Sequence, residues 1–239
     1  MAKRFLNWSS GKDSALSLYR LIKAGEQPDL LLTTIGKEEQ RIGMHGLRRS
    51  LLVKQAEAIG IPLKIIELEA SLDHEAYNDL MKSTMNELKV KGFDTAVFGD
   101  IFLADLKAYR ESQLNSVGMK GEFPLWGEDT RALIKEFIAN GFSSMIVSAA
   151  DEHFDKNFLG TVIDEQFLDK LPDAVDPCGE NGEFHSFCYD GPIFEKDIPF
   201  NKGKKVIKYY DAPKDDKSIS DPRSSIARIG FHYLDLLPK

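Results

Sequence analysis

The sequence predicts an α/β protein in which a parallel β-sheet flanked by helices is followed by a small α+β subdomain. Up to about residue 150, short apolar runs alternate with segments whose apolar residues recur at helical spacing. This alternation is typical of a parallel sheet with helices on both faces. Beyond residue 150 the helical periods fade, and seven of the ten prolines lie there. We therefore predict a first domain over residues 1–150 and a C-terminal subdomain over residues 151–239.

Each strand of the first domain is predicted from a short apolar run. These runs lie at residues 4–8, 29–35, 63–68, 95–98 and 144–147. Helices are expected between them, because apolar side chains recur there every three or four residues. The helices lie at residues 15–24, 47–59, 73–91, 103–117 and 133–138, and residues 36–45 form a polar loop. This order predicts an open, Rossmann-like sheet, with three further short strands in the subdomain at residues 183–189, 205–210 and 227–234.

The composition restricts the class of protein. Hydrophobic residues make up 42% of the chain and charged residues 29%, which is typical of a globular protein. The net charge of −7 argues against a protein that grips long stretches of nucleic acid. Cys178 and Cys188 form neither a CxxC motif nor a zinc spacing, and we interpret them as core residues rather than as sulfur-transfer thiols. No apolar run approaches the length of a membrane span, which favours a reducing cytoplasm as the compartment.

The strongest local signal is the loop SSGKDS, which lies between the first strand and the first helix. Such a junction presents unpaired backbone N–H groups and the positive end of a helix dipole, to which phosphate oxygens bind. Gly11 allows close approach of the backbone, and Lys12 supplies a cation. Hydroxyl donors come from Ser9, Ser10 and Ser14. A Walker loop is excluded, because Leu6 and Asp13 occupy positions where it needs glycine and Ser or Thr. A capped turn without a ligand is the alternative.

This loop resembles the SGGxDS loop of the PP-loop ATP pyrophosphatases, which bind ATP and cleave it between the α- and β-phosphates. The resemblance implies a sheet of the HUP/PP-loop type. It also implies that ATP is bound by Ser9, Ser10, Gly11, Lys12, Asp13 and Ser14. Ser10 stands where the family usually has glycine, and a serine there adds a donor but removes conformational freedom.

Three later stretches narrow the resemblance: Met44–Gly46, Gly99–Asp100 and residues 176–186. Together with SSGKDS they resemble the diphthine–ammonia ligase family over about residues 4–200. That family adenylates a carboxylate on a modified histidine and lets ammonia displace AMP, forming an amide. This chain has GENGE where the family has GEGGE, and His185 replaces an acidic residue beside the acceptor pocket. The change at His185 leaves a relative acting on another carboxylate as an alternative.

The nucleotide is expected at the carboxyl ends of the strands, where open parallel sheets bind ligands. Thr34 and Gly99 lie at such ends, and adenine is expected to contact the backbone around Thr34. Asp100 is expected to hold Mg²⁺, an ion that needs only one or two carboxylates besides phosphate. His45 either faces the nucleotide or starts a helix.

We assign catalytic roles to Lys12 and Asp13 of the loop and to Glu180 and Glu183 of the GENGE segment. Two carboxylates in a glycine turn can hold an amine, bind Mg²⁺ or act as a base. Glu183 is expected to orient ammonium or take its proton, while Glu180 holds the turn through backbone bonds. The alternative is a solvated acidic hairpin without a catalytic role.

The predicted function is an ATP-dependent, AMP-forming ligase that makes an amide. The expected partners are ATP, Mg²⁺, ammonia and a carboxylate-bearing acceptor, either a protein side chain or a small molecule. Two alternatives stay open: a PP-loop enzyme that modifies tRNA, and a nucleotide-binding sensor without turnover. We expect neither a membrane partner nor an extended surface for nucleic acid. The sequence leaves open whether the chain forms a homodimer.

Overall fold

The computed structural model describes residues 2–211 and 228–239. These residues form two sheets with five α-helices. The strands are β1 (Lys3–Asn7), β2 (Leu30–Gly36), β3 (Arg41–Ile42), β4 (Leu63–Leu68), β5 (Phe93–Val97), β6 (Lys120–Glu122), β7 (Ser143–Ala150), β8 (Phe184–Asp190), β9 (Phe200–Asp211) and β10 (Arg228–Pro238). The helices are α1 (Lys12–Lys23), α2 (Arg49–Ile59), α3 (His74–Val90), α4 (Ala104–Ser116) and α5 (Thr130–Ala139).

The first sheet is mostly parallel, as the alternation of strands and helices predicted. Its order is β3-β2-β1-β5-β6, with β4 also paired to β2, and the pairing of β2 with β3 is antiparallel. The strand order reverses at β1, because β2 lies on one side of it and β5 on the other. Open sheets bind ligands at such a reversal, beyond the carboxyl ends of the strands. The loop of residues 9–14 follows β1 directly and lies at this position.

The second sheet has the order β8-β7-β10-β9 and is antiparallel. Residues 144–147, which we predicted as the fifth strand of the parallel sheet, lie instead in β7 of this second sheet. That prediction was wrong because an apolar run indicates a strand without indicating its partner, and both partners of β7 come later in the chain. The parallel sheet is completed by β6, a three-residue polar strand that no apolar run announces.

The subdomain strands predicted at residues 183–189 and 205–210 are confirmed as β8 and β9. The third prediction begins at residue 227, outside the described residues, and its remainder lies in β10. Both sheets contribute to one buried core, in which Leu6 and Trp8 cluster with Ile146 and Phe187. Strand β7 belongs to the second sheet although its residues precede residue 151. The division of the chain into two domains at residue 150 therefore remains a prediction.

Each predicted helix is present, with ends shifted by a few residues. The most consequential shift is in α1, which begins at Lys12, so that Lys12, Asp13 and Ser14 form its first turn. Within the described part of the chain, no helix combines the length and apolarity that crossing a bilayer requires.

The buried side chain of Gln55 on α2 joins the two sheets. The indole Nε1–H of Trp8 donates to Gln55 Oε1 at 3.0 Å. Gln55 Nε2 in turn donates to the backbone carbonyl of Ser10 at 3.1 Å and to that of Cys188 at 2.6 Å. An indole can only donate and carbonyls can only accept, so these partners fix the amide orientation. We call these four residues the Gln55 junction.

Replacing Gln55 by leucine is expected to lower the free energy of unfolding by about 3 kcal/mol, because the Trp8 indole and the carbonyls of Ser10 and Cys188 each lose one buried hydrogen bond. The measurement is urea denaturation followed by tryptophan fluorescence. Gln166→Leu, at an exposed position, is the matched control and is expected to change stability by less than about 0.5 kcal/mol. Equal effects of the two substitutions would contradict a role for the junction.

Candidate active site

The loop after β1 turns directly into α1. Gly11 is the N-cap, with φ −92° and ψ 179°, and has no side chain of its own to cap the helix. The Ser14 hydroxyl donates to the Gly11 carbonyl at 3.0 Å and lies 3.1 Å from the hydroxyl of Ser9. The Lys12 backbone N–H donates to Ser186 Oγ at 3.2 Å, across 174 residues of sequence. The loop is therefore held by its own hydroxyls and by β8.

Ser10 adopts the conformation that favours glycine, with φ 73°. Its carbonyl accepts the backbone N–H of Cys188 at 2.9 Å as well as the Gln55 amide. Its side chain is fully buried, and its hydroxyl has no hydrogen-bond partner among the described residues. A serine at the glycine position of the loop is thus held in place by contacts to its backbone rather than to its side chain.

The Lys12 side chain is buried between the loop and the segment that precedes β8. Its ammonium lies 2.8 Å from Asp13 Oδ2, donates to the Cys178 carbonyl and lies 5.4 Å from the centre of the Phe184 ring. Burial lowers the pKa of Lys12, but Asp13, Cys178 and Glu180 together raise the pKa above its ordinary value. Lys12 therefore stays charged beside the helix N-terminus.

Gly99 and Asp100 lie beside the loop, as their place after β5 predicted. A Cβ atom on Gly99 would lie 3.1 Å from the Asp13 carbonyl carbon, so glycine permits the two backbones to approach. Asp100 Oδ2 lies 2.7 Å from Nε of Arg110, whose guanidinium lies 4.4 Å from the centre of the Phe98 ring. Burial raises the pKa of Asp100, although Arg110 opposes this effect.

The acidic residues near the loop do not form a protein-only metal site. Among the described residues, no group of three or more His, Cys, Asp or Glu side chains is arranged to hold a metal ion. Asp100 can contribute one carboxylate, which suits Mg²⁺ bound mainly by phosphates and water. Its role as a metal ligand stays a prediction.

Glu180 lies on the cavity side of the GENGE turn. Its Oε1 accepts the backbone N–H of Ile101 at 2.7 Å and of Phe102 at 3.4 Å, which fastens the turn to the end of β5. Burial, supported by the charges of Asp13 and Asp100, raises the pKa of Glu180 to about 7 against the opposing backbone hydrogen bonds. A carboxyl with this pKa can gain or lose a proton at neutral pH.

Glu183 does not reach the cavity. Its side chain is buried, and Oε1 accepts the Asp176 backbone N–H and the Asn181 amide, both at 3.0 Å. The location that we predicted, facing an acceptor, is therefore wrong, because the glycine turn folds this carboxylate inward under itself. The expected loop-holding role of Glu180 agrees with its bonds to the Ile101 and Phe102 backbone, and Glu183 also holds the turn from within.

His45 lies beside His185, which the sequence identified only as a replacement for an acidic residue of the family. His45 precedes α2 by several residues, so of its two predicted places it takes the one facing the cavity. Its Nδ1–H donates to the Ser186 carbonyl at 3.1 Å, and its ring centre is 4.7 Å from that of His185. Burial lowers the pKa of His45 to about 4 and that of His185 well below its ordinary value.

These groups line one cavity of about 470 Å³, a size suited to a small-molecule ligand. Predicted site residues in its wall are Ser9, Gly11, Lys12, Asp13, Ser14, Thr34, His45, Gly99, Asp100 and Glu180. Ser10 and Glu183 lie behind the wall. Sequence reasoning missed polar residues that α3 and α4 contribute: Tyr77, Asn78, Tyr109, Arg110 and Gln113. The spacing of apolar residues in these two helices predicted only the faces that pack on the protein. No local sequence motif marks the polar residues that line the cavity.

Replacing Ser10 by glycine is expected to raise the free energy of unfolding by about 1 kcal/mol. The left-handed conformation costs a serine about 1–2 kcal/mol, and its unpaired hydroxyl adds to this cost. The greater freedom of unfolded glycine offsets part of the gain, by roughly 0.5–1 kcal/mol. Thermal and urea unfolding measure the effect, with Ser10→Ala as the control that removes the hydroxyl and keeps the strain. A glycine variant less stable than the alanine variant would contradict this account.

Comparisons with known proteins agree with these features. Family models of the diphthamide synthase N-terminal and C-terminal domains match residues 2–121 and 129–214. The chain is 27% identical over 235 residues to the diphthine–ammonia ligase of Homo sapiens, covering 85% of each chain. It is 25% identical over 232 residues to that of Danio rerio, covering 85% of this chain and 88% of the other.

A solved structure gives a weaker match. This match is to the crystal structure of a predicted subunit of tRNA methyltransferase from Methanocaldococcus jannaschii. The aligned region covers 83% of this chain and 100% of that chain. The TM-score is 0.42 and the sequence identity 17%, values that support no argument about function. The two domain models, by contrast, together span more than half of the sequence, and the chain therefore belongs to the diphthamide synthase family.

Proposed function

We propose that this chain is an ATP-dependent, AMP-forming ligase that activates a carboxylate and converts it to an amide with ammonia. The observation that carries the proposal is that the SSGKDS loop and the GENGE segment line the same cavity. The SSGKDS loop is suited to binding phosphate, and the GENGE segment brings the titratable carboxyl of Glu180 beside that loop. The diphthine–ammonia ligase activity named for the relatives supports the same reaction class.

The features of the loop fit the phosphates of ATP. A helix N-terminus presents N–H groups to an anion, and the charged Lys12 lies within the first turn of α1. Ser9 and Ser14 add hydroxyls that line the cavity. Asp100 would hold Mg²⁺ as one carboxylate among phosphate and water ligands, and adenine is assigned to the region of Thr34.

ATP supplies the activation: the acceptor carboxylate oxygen bonds to the α-phosphorus as pyrophosphate leaves, and AMP leaves when ammonia attacks the acyl carbon. The residues of this chain must align these groups and receive the proton that nitrogen loses. Glu180 is the group we assign to that proton, because it lines the cavity with a pKa of about 7. Asp13 keeps Lys12 charged and in place.

Sulfur transfer, the chemistry of a thiolating tRNA enzyme, fits the site less well. Cys178 and Cys188 are buried as free thiols, and burial raises the pKa of both. A thiol with a raised pKa is a poor nucleophile at neutral pH.

The first test is product identity. With ATP, Mg²⁺, ammonium and a panel of carboxylic acids, turnover is expected to yield AMP and pyrophosphate. Gly11→Val is expected to abolish it, since a Cβ there would lie 2.8 Å from His45 Cε1. Gly43→Val, where a Cβ meets nothing within 4 Å, is the control and keeps activity. Radiolabelled ATP distinguishes the outcomes, and release of ADP and phosphate would contradict the proposal.

The second test is the pH dependence of amide formation. The base form of Glu180 is needed, so at a fixed concentration of free ammonia the rate is expected to rise with pH up to about 7, the pKa of Glu180, and then to level off. Glu180→Gln is expected to lose ~10²–10⁴ in rate and this pH limb, while ATP affinity measured by calorimetry stays within a few-fold. Glu183→Gln serves as the comparison, with loss of stability but retention of the limb. A Glu180→Gln variant with a wild-type pH profile would remove Glu180 from the chemistry.

A further inference from the structure

Few side chains in the cavity wall carry a positive charge. Among the described residues that line the cavity, Lys12 and Arg110 are the two cationic ones. The histidines of the wall, His45 and His185, are neutral at neutral pH, because burial lowers the pKa of both. The triphosphate of ATP brings several negative charges into this space. The phosphate loop accounts for Lys12, whereas the motifs of the sequence assign no role to Arg110.

The donors of Lys12 are mostly engaged within the protein, and those of Arg110 are not. The Lys12 ammonium lies 2.8 Å from Asp13 Oδ2 and donates to the Cys178 carbonyl. An ammonium has three donors, so one of them remains for a ligand. A guanidinium has five. Among the described residues, that of Arg110 makes one hydrogen bond, from Nη2 to Asp100 Oδ1 at 3.3 Å.

The guanidinium of Arg110 is held close to the phosphate loop. It lies 4.4 Å from the centre of the Phe98 ring. A guanidinium stacked on an aromatic face keeps its N–H edge free for paired contacts with phosphate oxygens. Arg110 Nε lies 2.7 Å from Asp100 Oδ2, and Gly99, which precedes Asp100, packs against the backbone of Asp13. Arg110 therefore reaches the cavity beside the first turn of α1.

The contact between Asp100 and Arg110 leaves polar atoms unsatisfied. Although Asp100 Oδ2 and Arg110 Nε are close, the Nε–H bond is not directed at that oxygen. Both atoms are buried, and neither has a hydrogen-bond partner among the described residues. Buried polar atoms without partners are uncommon in folded proteins and call for a group that completes them. Mg²⁺ on the carboxylate and phosphate on the guanidinium are groups of the required charge.

We propose that Arg110 binds the β- and γ-phosphates of ATP, the part that leaves as pyrophosphate. The inference rests on the proposed function and adds a binding residue that lies outside the loop motif. Arg110 adjoins Asp100, the carboxylate assigned to Mg²⁺, and that ion is held in nucleotide sites by carboxylates together with substrate phosphates. The loop of residues 9–14 and Arg110 of α4 then hold the same phosphates, and Arg110 makes the site distinguish ATP from AMP.

The test compares the binding of AMP with that of α,β-methylene-ATP, which keeps the terminal phosphates and cannot be cleaved at the α,β position. Both affinities are measured by isothermal titration calorimetry at one fixed Mg²⁺ concentration. Wild type is expected to bind the analogue more tightly than AMP. Arg110→Gln is expected to weaken binding of the analogue by about tenfold to a hundredfold, because charged hydrogen bonds to phosphate are lost. Its affinity for AMP is expected to stay within a few-fold.

Two further variants separate the charge from its geometry and its place. Arg110→Lys keeps a cation without the paired donors, and its affinity for the analogue is expected to lie between those of wild type and Arg110→Gln. Arg131→Gln removes the same charge from an exposed position on α5 outside the cavity lining, and is expected to change neither affinity.

The inference is overturned if wild type does not prefer the analogue, or if Arg110→Gln keeps the wild-type ratio of affinities or weakens both nucleotides equally. If Arg110→Gln does not fold, a wild-type ratio in Arg110→Lys overturns it. Because binding is measured without turnover, the proposed function is tested separately. Release of ADP in the product assay, together with a ratio that is lost in Arg110→Gln, contradicts the proposed function and not this inference.

Discussion

The backbone carbonyl of Ser10 is the point on which the site depends. It accepts hydrogen bonds from the Cys188 backbone and from the Gln55 amide, and so ties the loop after β1 to β8 and α2. These bonds hold Ser10 in a conformation that a serine does not favour by itself. With the loop so held, Lys12, Asp13 and Ser14 of the first turn of α1 line the cavity, and the Lys12 ammonium donates to the Cys178 carbonyl.

The charges of the cavity are fixed by one another rather than by solvent. Lys12 is matched by Asp13, and Asp100 is matched by Arg110, which itself rests on the Phe98 ring. Groups positioned before the ligand arrives need little reorganisation during a reaction, which is how enzymes obtain much of their electrostatic stabilisation. The segment after β1, helix α2 and strand β8 meet at the Gln55 junction, whose hydrogen bonds hold these elements together.

Strands β1, β2, β4 and β5 of the first sheet and the loop after β1 could be predicted from sequence because their signals are local. The apolar run that became β2 and the helical period of α1 each identify their element within a dozen residues. The partner of β7 could not be predicted, since strand pairing depends on residues far along the chain. The inward orientation of the Glu183 side chain could not be predicted for a related reason. The GENGE segment indicates a turn, but it does not indicate which of its carboxylates faces the cavity. Arg110 and Tyr109 were missed because helical residues aimed at a ligand look like ordinary surface residues.

Because β8 contacts the loop after β1, the complete site can form only after β8 has been synthesised. Lys12 and Ser186, which meet in the folded protein, are 174 residues apart in sequence. At ordinary elongation rates, roughly 10–30 s separate their emergence from the ribosome. During that interval the nascent chain has β1, α1 and Gln55 but lacks the Cys188 backbone N–H, the other donor that holds the Ser10 carbonyl in the folded protein. The conformation of the loop in the folded protein is thus a property of the nearly finished polypeptide, and a truncated product lacking β8 would present residues 9–14 without the contacts that Ser186 and Cys188 make to them.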